Sequence, residues 1–221
     1  MIAFISKIRN FFVVKEVSSY KEFNFSVKCQ IVLGVAFGLL EYGMIWLNSL
    51  NSAPLYMDTI FTTAASLSGL WSGLLCAAVF HILNVALSGG SVLWSICSFS
   101  LVLVFRVYIS KRKSVGFLDI VFLVFVLSFL ISLEGAVIFA VLQKISDFQE
   151  TSSIRTMYVL LRKINIPVIV SAFLSRVPAN LVDKGICVSL GFLIWRAELK
   201  MGEKFIRKSG EQSCWESNAE K

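Results

Sequence analysis

Long apolar blocks separated by short charged segments limit most strongly how this chain can fold. The blocks run over Val27–Leu50, Pro54–Leu87, Val92–Ile109 and Gly116–Ile145, and a last one ends at Trp195. A helix of about 20 apolar residues crosses a hydrocarbon core about 30 Å thick. The chain is 57% hydrophobic and 16% charged, with a mean hydropathy of +0.77, whereas soluble domains carry more charge. We therefore predict an all-α, polytopic membrane protein.

The second block is too long for one ordinary span. Its central stretch, YMDTIFTTAASLSGLWSGLLCAAVFHILN (Tyr56–Asn84), contains two ionisable side chains, Asp58 and His81. A single helix over Ile60–Leu87 would be about 42 Å long. The sequence LSGLWSG in its middle combines small residues with Trp71, which favours a tight turn near a membrane interface. Two helices joined there bring the predicted total to six transmembrane helices.

The distribution of basic residues supports six spans. Basic residues cluster in the N-terminal segment, in Lys111–Lys113 and in the C-terminal tail. Six spans place all three clusters on one side, which the positive-inside rule identifies as cytoplasmic. The exterior segment Ser146–Lys163, which is itself basic, fits this orientation least well.

This arrangement divides the chain into three parts. We predict a cytoplasmic amphipathic segment over 1–26, a six-helix membrane domain over 27–197 and a cytoplasmic tail over 198–221, located in the cell (inner) membrane. The N-terminal segment lacks the pattern of a cleaved signal peptide. The five cysteines lack metal or redox spacing, and four of them are predicted to be small packing residues.

Polar residues of several spans are expected at one depth, in the outer half of the bundle. Ionisable groups in a membrane usually face a cavity or one another. We therefore predict an outward-facing, hydrated pocket that binds a small molecule. Its candidate residues are Glu41, Asp58, His81, Asn84, Glu134, Arg176, Asn180, Asp183 and Lys184.

Each candidate also has a purely structural interpretation. Asp183 could form an ion pair with Arg176 or with a neighbouring cation, and His81 could be a hydrogen-bonded core residue. Asp58 could cap a helix N-terminus. Gly34 and Gly38 have the small-xxx-small spacing that brings membrane helices close together, either against a partner subunit or within this bundle.

The sequence contains no recognised catalytic or metal-binding pattern. It lacks a P-loop, HExxH, GxSxG and a metal-spaced Cys/His cluster. We expect no enzyme activity, catalytic residue, metal site or cofactor. The net charge of +7 is explained by membrane orientation, so no nucleic-acid partner is expected.

Two motifs resemble the substrate-specific components of energy-coupling-factor (ECF) transporters. Tyr56–Asn84 resembles their acid–Thr start, small-residue helix, Gly–aromatic–x–Gly turn and helix ending in Asn. Ser175–Trp195 resembles their last span, with its Asp–Lys pair. Leu70 stands where the family usually has proline in the turn.

The resemblance implies a membrane subunit that binds a vitamin-like micronutrient. It also implies docking to a transmembrane coupling protein driven by two ATPase subunits, with Gly34 and Gly38 at the docking position and outer loops Asn48–Tyr56 and Ser146–Lys163 over the pocket. Related domains serve as sensors, so a membrane receptor without transport activity is the alternative. A structural membrane protein whose polar residues only pair with one another is a third possibility.

Overall fold

A computed structural model of the chain describes residues 23–50, 55–112, 115–146, 152–209 and 215–217. In this part of the chain, seven α-helices account for most residues. They are α1 (Val27–Leu50), α2 (Ile60–Ser68), α3 (Leu70–Ser88), α4 (Ser95–Ser110), α5 (Phe117–Ser146), α6 (Ser152–Lys163) and α7 (Val168–Ser209). A short 3₁₀ turn, Val92–Trp94, leads into α4. Two three-residue strands, β1 (Phe23–Phe25) and β2 (Trp215–Ser217), pair antiparallel.

Five of these helical segments are long and apolar enough to cross a membrane: Val27–Asn48, Leu70–Ser88, Val92–Ser110, Phe117–Ile145 and Val168–Met201. The chain is thus an all-helical, multi-pass membrane protein, as predicted. The predicted second span is different, because α2 has only 9 residues. At about 1.5 Å per residue it covers less than half of a hydrocarbon core.

The long second block is divided into two helices at Gly69. Thr62 Oγ1 on α2 lies 3.5 Å from Cys76 Sγ on α3. A Cβ on Gly73 would lie 2.9 Å from Ser66 Oγ, so the backbones approach closely. These pairs show that α2 and α3 run antiparallel. The turn is tight because Gly69 alone separates the two helices.

The remaining neighbours also alternate in direction. His81 on α3 contacts Ser98 on α4, and Tyr108 at the end of α4 contacts Asp119 at the start of α5. Ser132 on α5 bonds Asn180 on α7. Consequently, one end of the bundle contains the first residues of α1 and the last residues of α4 and of the membrane part of α7. We call this the basic end, because the Lys111–Arg112 connection lies there; the opposite end is the distal end.

Apolar side chains fill the bundle interior and also cover its outside. Phe80, Phe105 and Phe192 are buried in the interior. Val32, Leu118 and Ile145 are 70%, 80% and 75% exposed on the outer faces of long helices. Such faces are stable in contact with lipid chains, which explains why apolar residues surround these helices on all sides.

Two parts of the chain differ from their predicted form. Helix α7 continues without interruption to Ser209, past the predicted end of the membrane domain at 197. Residues 152–163 of the predicted exterior segment form helix α6, which packs Tyr158 against Phe139 with ring centroids 5.1 Å apart. Of the N-terminal segment 1–26, residues 1–22 lie outside the described residues.

The cysteines follow the packing prediction with one exception. Cys76, Cys97 and Cys187 are free and buried. Cys29 is disulfide-bonded, so the prediction that it is a simple packing residue is wrong. It lies on the first turn of α1, at the basic end. Cys214 lies outside the described residues.

Candidate functional site

The chain enters α2 through a non-helical segment, Leu55–Thr59, whose backbone is held by side chains. Met57 N donates to Asp183 Oδ1 on α7 at 2.7 Å. Asn48 Nδ2 on α1 donates to the carbonyls of Leu55 and Tyr56 at 2.6 and 3.3 Å. Non-helical backbone at membrane depth is tolerated where protein or a water-filled cavity surrounds it. These contacts supply the hydrogen bonds that a continuous helix would have supplied.

Glu41 holds the N-terminus of α2. The side chain is fully buried, and its two carboxylate oxygens accept hydrogen bonds from Ile60 N at 3.1 Å and Thr62 N at 2.7 Å. The first amides of a helix have no partner within the helix, and the helix dipole places partial positive charge there. Glu41, on the neighbouring helix α1, bonds two of these amides and places a carboxyl group at the positive end of α2. Thr59, at the N-cap position, makes no side-chain cap bond.

Lys184 on α7 bonds two acidic residues, Asp58 of the non-helical segment and Asp183 beside it on α7. Its Nζ donates to Asp58 Oδ1 at 2.8 Å, Asp183 Oδ2 at 2.7 Å and Thr59 Oγ1 at 3.1 Å. An ammonium group has three donors, and all three are used. Lys184 and Asp183 are almost completely buried, whereas the Asp58 side chain is 34% exposed. We call Glu41, Asp58, Asp183 and Lys184 the polar cluster.

The polar cluster decides two of the alternatives left open by the sequence. Asp58 pairs with Lys184 instead of capping α2 through its side chain. Asp183 also pairs with Lys184, its sequence neighbour, and Arg176 stacks over the Phe139 ring at 4.9 Å. The structural interpretation therefore accounts for the position of Asp183 and Lys184.

A second group lies beside the polar cluster and includes His81 and Glu134. His81 Nε2 lies 2.8 Å from Ser98 Oγ. The neighbouring Cys97 interacts electrostatically with Glu134, Asp58 and Lys184. His81 interacts electrostatically with Asp58 as well. Residues of α3, α4, α5 and the non-helical segment therefore lie near one another.

Two polar atoms of this second group are buried without a hydrogen bond. Among the described residues, His81 Nδ1 and Glu134 Oε2 have no hydrogen-bond partner. Buried polar atoms are normally paired with protein or water. We call His81 and Glu134 the open pair, because each has a buried polar atom with no hydrogen-bond partner among the described residues.

Asn180 and Arg176 connect α5 to α7. Asn180 Nδ2 donates to Ser132 Oγ at 2.8 Å, and its carbonyl accepts from Ser128 Oγ at 3.1 Å. A Cβ on Gly135 would lie 3.2 Å from Arg176 Nε, so the arginine lies directly on the α5 backbone. Both residues thus have contacts that position the two helices.

The other three candidates, Asn84, Gly34 and Gly38, have different contacts. Asn84 lies at the end of α3, where its carbonyl accepts from Gly90 N at 3.2 Å. A Cβ on Gly34 would lie 2.7 Å from Ser72 O, and one on Gly38 would lie 2.7 Å from Val79 Cβ. Both glycines are therefore at the contact between α1 and α3, which is the alternative of packing within this bundle.

Some polar residues that the sequence did not single out complete the arrangement. Thr59, Ser98 and Ser132 bond the candidate residues. Glu198, assigned to the tail by sequence, is 8% exposed and accepts from Ser68 Oγ at 2.7 Å. Helical spacing indicates its position, because Trp195 and Leu199 are buried on the same side of α7.

The arrangement suits binding more than metal coordination. Within the described residues, no group of three His, Cys, Asp or Glu side chains could hold a metal ion. Comparisons with protein-family models, curated proteins and solved structures found no match. What the site can do follows from its own groups: a satisfied polar cluster that fixes the entry to α2, and an open pair beside it.

Proposed function

We propose that this chain is the small-molecule-binding membrane subunit of an ECF-type importer for a vitamin-like micronutrient. The observation that carries the proposal is the short second span, whose non-helical entry lies among polar groups from α1, α3, α5 and α7. Non-helical backbone at membrane depth is typical of segments that line a cavity. The resemblance of the same segment to ECF substrate-specific components agrees with this.

The proposal includes an orientation. The basic end faces the cytoplasm by the positive-inside rule, which places the polar cluster and the open pair in the outer half of the membrane. The chain then has six alternating segments with both termini inside, in the cell (inner) membrane.

An impermeant maleimide applied to intact cells tests the orientation. Single-cysteine variants at Lys111 and at Lys163, on a background without other cysteines, report the basic and distal ends. We expect labelling from outside only at position 163. Labelling only at position 111 would reverse the orientation.

The open pair indicates the chemistry of the ligand. Glu134 Oε2 can only accept a hydrogen bond when the carboxylate is ionised, and His81 Nδ1 accepts or donates according to its tautomer. A ligand with a protonated amine or a donor-bearing heterocycle satisfies both atoms. Asp58, which is partly exposed, adds negative charge on the same side.

Replacing Glu134 tests this assignment. Small molecules extracted from purified protein are identified by mass spectrometry in wild type, Glu134→Gln and Glu198→Gln. We expect one compound at stoichiometric amount in wild type and Glu198→Gln, and its loss in Glu134→Gln. Glu198 is the matched control because it is another buried carboxyl group, at the basic end. No compound in wild-type protein, under conditions where the bundle stays folded, would count against a binding function.

Partner identity tests the transport role. The tagged chain is purified from native membranes in mild detergent, and co-purifying proteins are identified. The proposal requires a transmembrane coupling protein and two ATPase subunits. We expect neither an enzymatic role nor a nucleic-acid partner.

The length of α7 favours a receptor as the second candidate. This helix holds Asp183 and Lys184 in the polar cluster and continues to Ser209. Its 42 residues are about 63 Å long, about twice the hydrocarbon thickness. A shift of α7 on ligand binding would therefore reach well outside the membrane. Recovery of a signalling protein in the same purification would favour this function.

A further inference from the structure

A groove between α4 and α5 lies outside the polar cluster, at the basic end. Its volume is about 690 Å³, and its lining is mostly apolar. Leu103, Val107 and Phe122 are about half exposed along its walls, and Leu123 is buried at its floor. Since these residues belong to two membrane-crossing helices, the groove opens towards lipid chains.

Two cations stand at the end of this apolar groove. Lys111 and Arg112 both line it, and both are exposed. Arg112 is held in place, since its Nε lies 3.7 Å from Asp119 Oδ1 and its guanidinium lies 4.9 Å from the Tyr108 ring centroid. Asp119 also accepts hydrogen bonds from Tyr108 OH at 2.6 Å and Gly116 N at 2.7 Å.

The charge at this position is net positive. Two cations face one carboxylate, and that carboxylate is already engaged by a hydroxyl and a backbone amide. Lys111 makes no ion pair with another described residue, so its charge remains available. Basic groups next to a cleft between membrane helices are the usual arrangement for binding lipid head groups.

We propose that the α4–α5 groove binds an anionic phospholipid from the surrounding bilayer. The phosphate lies between Lys111 and Arg112, and an acyl chain lies along Leu103, Val107 and Phe122. The apolar walls select an amphiphile over a soluble anion, and the cations select an anionic head group over a zwitterionic one. This site is independent of the importer function proposed above.

Lipid titration of the delipidated, full-length protein tests the proposal. Native mass spectrometry measures binding of phosphatidylglycerol and phosphatidylcholine to wild type and to the Lys111→Gln/Arg112→Gln variant. Each surface cation contributes about 1 kcal/mol, so the double variant should bind phosphatidylglycerol about 30-fold more weakly. Its phosphatidylcholine affinity should stay unchanged.

The matched control removes two cations at the distal end. Arg155→Gln/Lys163→Gln has the same loss of charge on exposed residues of α6 and should bind both lipids like wild type. An equal loss of phosphatidylglycerol binding in this control would show that net charge alone acts, and would overturn the proposal. So would an unchanged affinity in the Lys111→Gln/Arg112→Gln variant.

A second variant tests the apolar part of the site without touching the cations. Val107→Trp fills the groove from an exposed position and should weaken phosphatidylglycerol binding at least tenfold. Soluble glycerol phosphate should fail to compete with the lipid. Equal binding of glycerol phosphate, or full lipid binding by Val107→Trp, would assign the cations to a free phosphate site and exclude the lipid groove.

Discussion

The two ends of α2 are held in opposite ways. At its N-terminus, Glu41 accepts hydrogen bonds from two backbone amides, and Lys184 ties the preceding segment to α7. At its C-terminus, Ser68 donates one hydrogen bond to Glu198 Oε2, and Glu198 Oε1 has no hydrogen-bond partner among the described residues. Both ends therefore carry a buried carboxyl group, but only one is fully bonded.

The helix dipole explains why this difference is favourable. Partial positive charge at a helix N-terminus attracts a carboxylate, and partial negative charge at the C-terminus repels it. Glu41 therefore adds attraction to its hydrogen bonds, whereas Glu198 does not. The comparison implies that hydrogen bonds and charge hold the N-terminus of α2 more firmly than its C-terminus.

Removing the cation of the polar cluster should have the largest effect. Lys184→Met leaves the buried Asp183 and the partly exposed Asp58 without their shared partner. Breaking a buried ion pair from one side costs about 3–5 kcal/mol of unfolding free energy. Reversible unfolding in mixed micelles measures the loss.

A charge-neutral double variant serves as the control for this prediction. Lys184→Met with Asp183→Asn removes the cation and one of its acids together, so it should lose less stability than Lys184→Met alone. A loss below about 1 kcal/mol in the single variant would mean that the cluster is not what anchors α2.

Disrupting the close contact between α7 and α2 should have the next largest effect on stability. A Cβ on Gly191 would lie 2.6 Å from Ile60 O, at the start of α2, and 2.6 Å from Thr63 Cβ. Gly191→Ala should therefore cost about 1–3 kcal/mol through overpacking. Gly185, on the same helix, has nothing within 4 Å of its Cβ position.

Gly185→Ala is accordingly the matched control. Alanine is favoured over glycine in a helix by up to about 1 kcal/mol, so this variant should equal or exceed wild type in stability. Equal effects of the two substitutions would show that α2 can move away from α7 without loss. Thermal unfolding in detergent distinguishes the two outcomes.

The sequence predicts the helices of this fold better than it predicts the form of the second span. The apolar blocks identify every long helix, and the small residues around Trp71 indicate the break that lies at Gly69. The sequence places a loop over Asn48–Tyr56 and a helix start near Asp58, but it does not indicate which side chains hold Leu55–Thr59. The hydrogen bonds of Leu55–Thr59 come from Asn48 and Asp183, which lie on α1 and α7 and have no local signal near this segment.

The candidate residues illustrate the same limit. Charge within apolar blocks was sufficient to select Glu41, Asp58 and Lys184, which the structure brings together through α2. Asn84, also polar and within an apolar block, lies near the end of α3, where its carbonyl accepts a hydrogen bond from Gly90 N. Glu198 was assigned to the tail because its neighbours in sequence are charged, although α7 continues through it and buries it against Ser68.

Replacing Glu by Gln at each end of α2 should change stability least, and it tests the comparison most specifically. Glu41→Gln leaves one of the two backbone amides at the N-terminus of α2 without its acceptor, and the cost should be about 1–2 kcal/mol. Glu198→Gln removes a carboxyl group from the end that repels negative charge, so stability should be unchanged or slightly higher. Both variants keep the side-chain volume, so packing does not obscure the difference. Unfolding free energies measured in one micelle system compare them directly. Equal losses in the two variants would show that hydrogen bonding alone, without the helix dipole, determines how α2 is held.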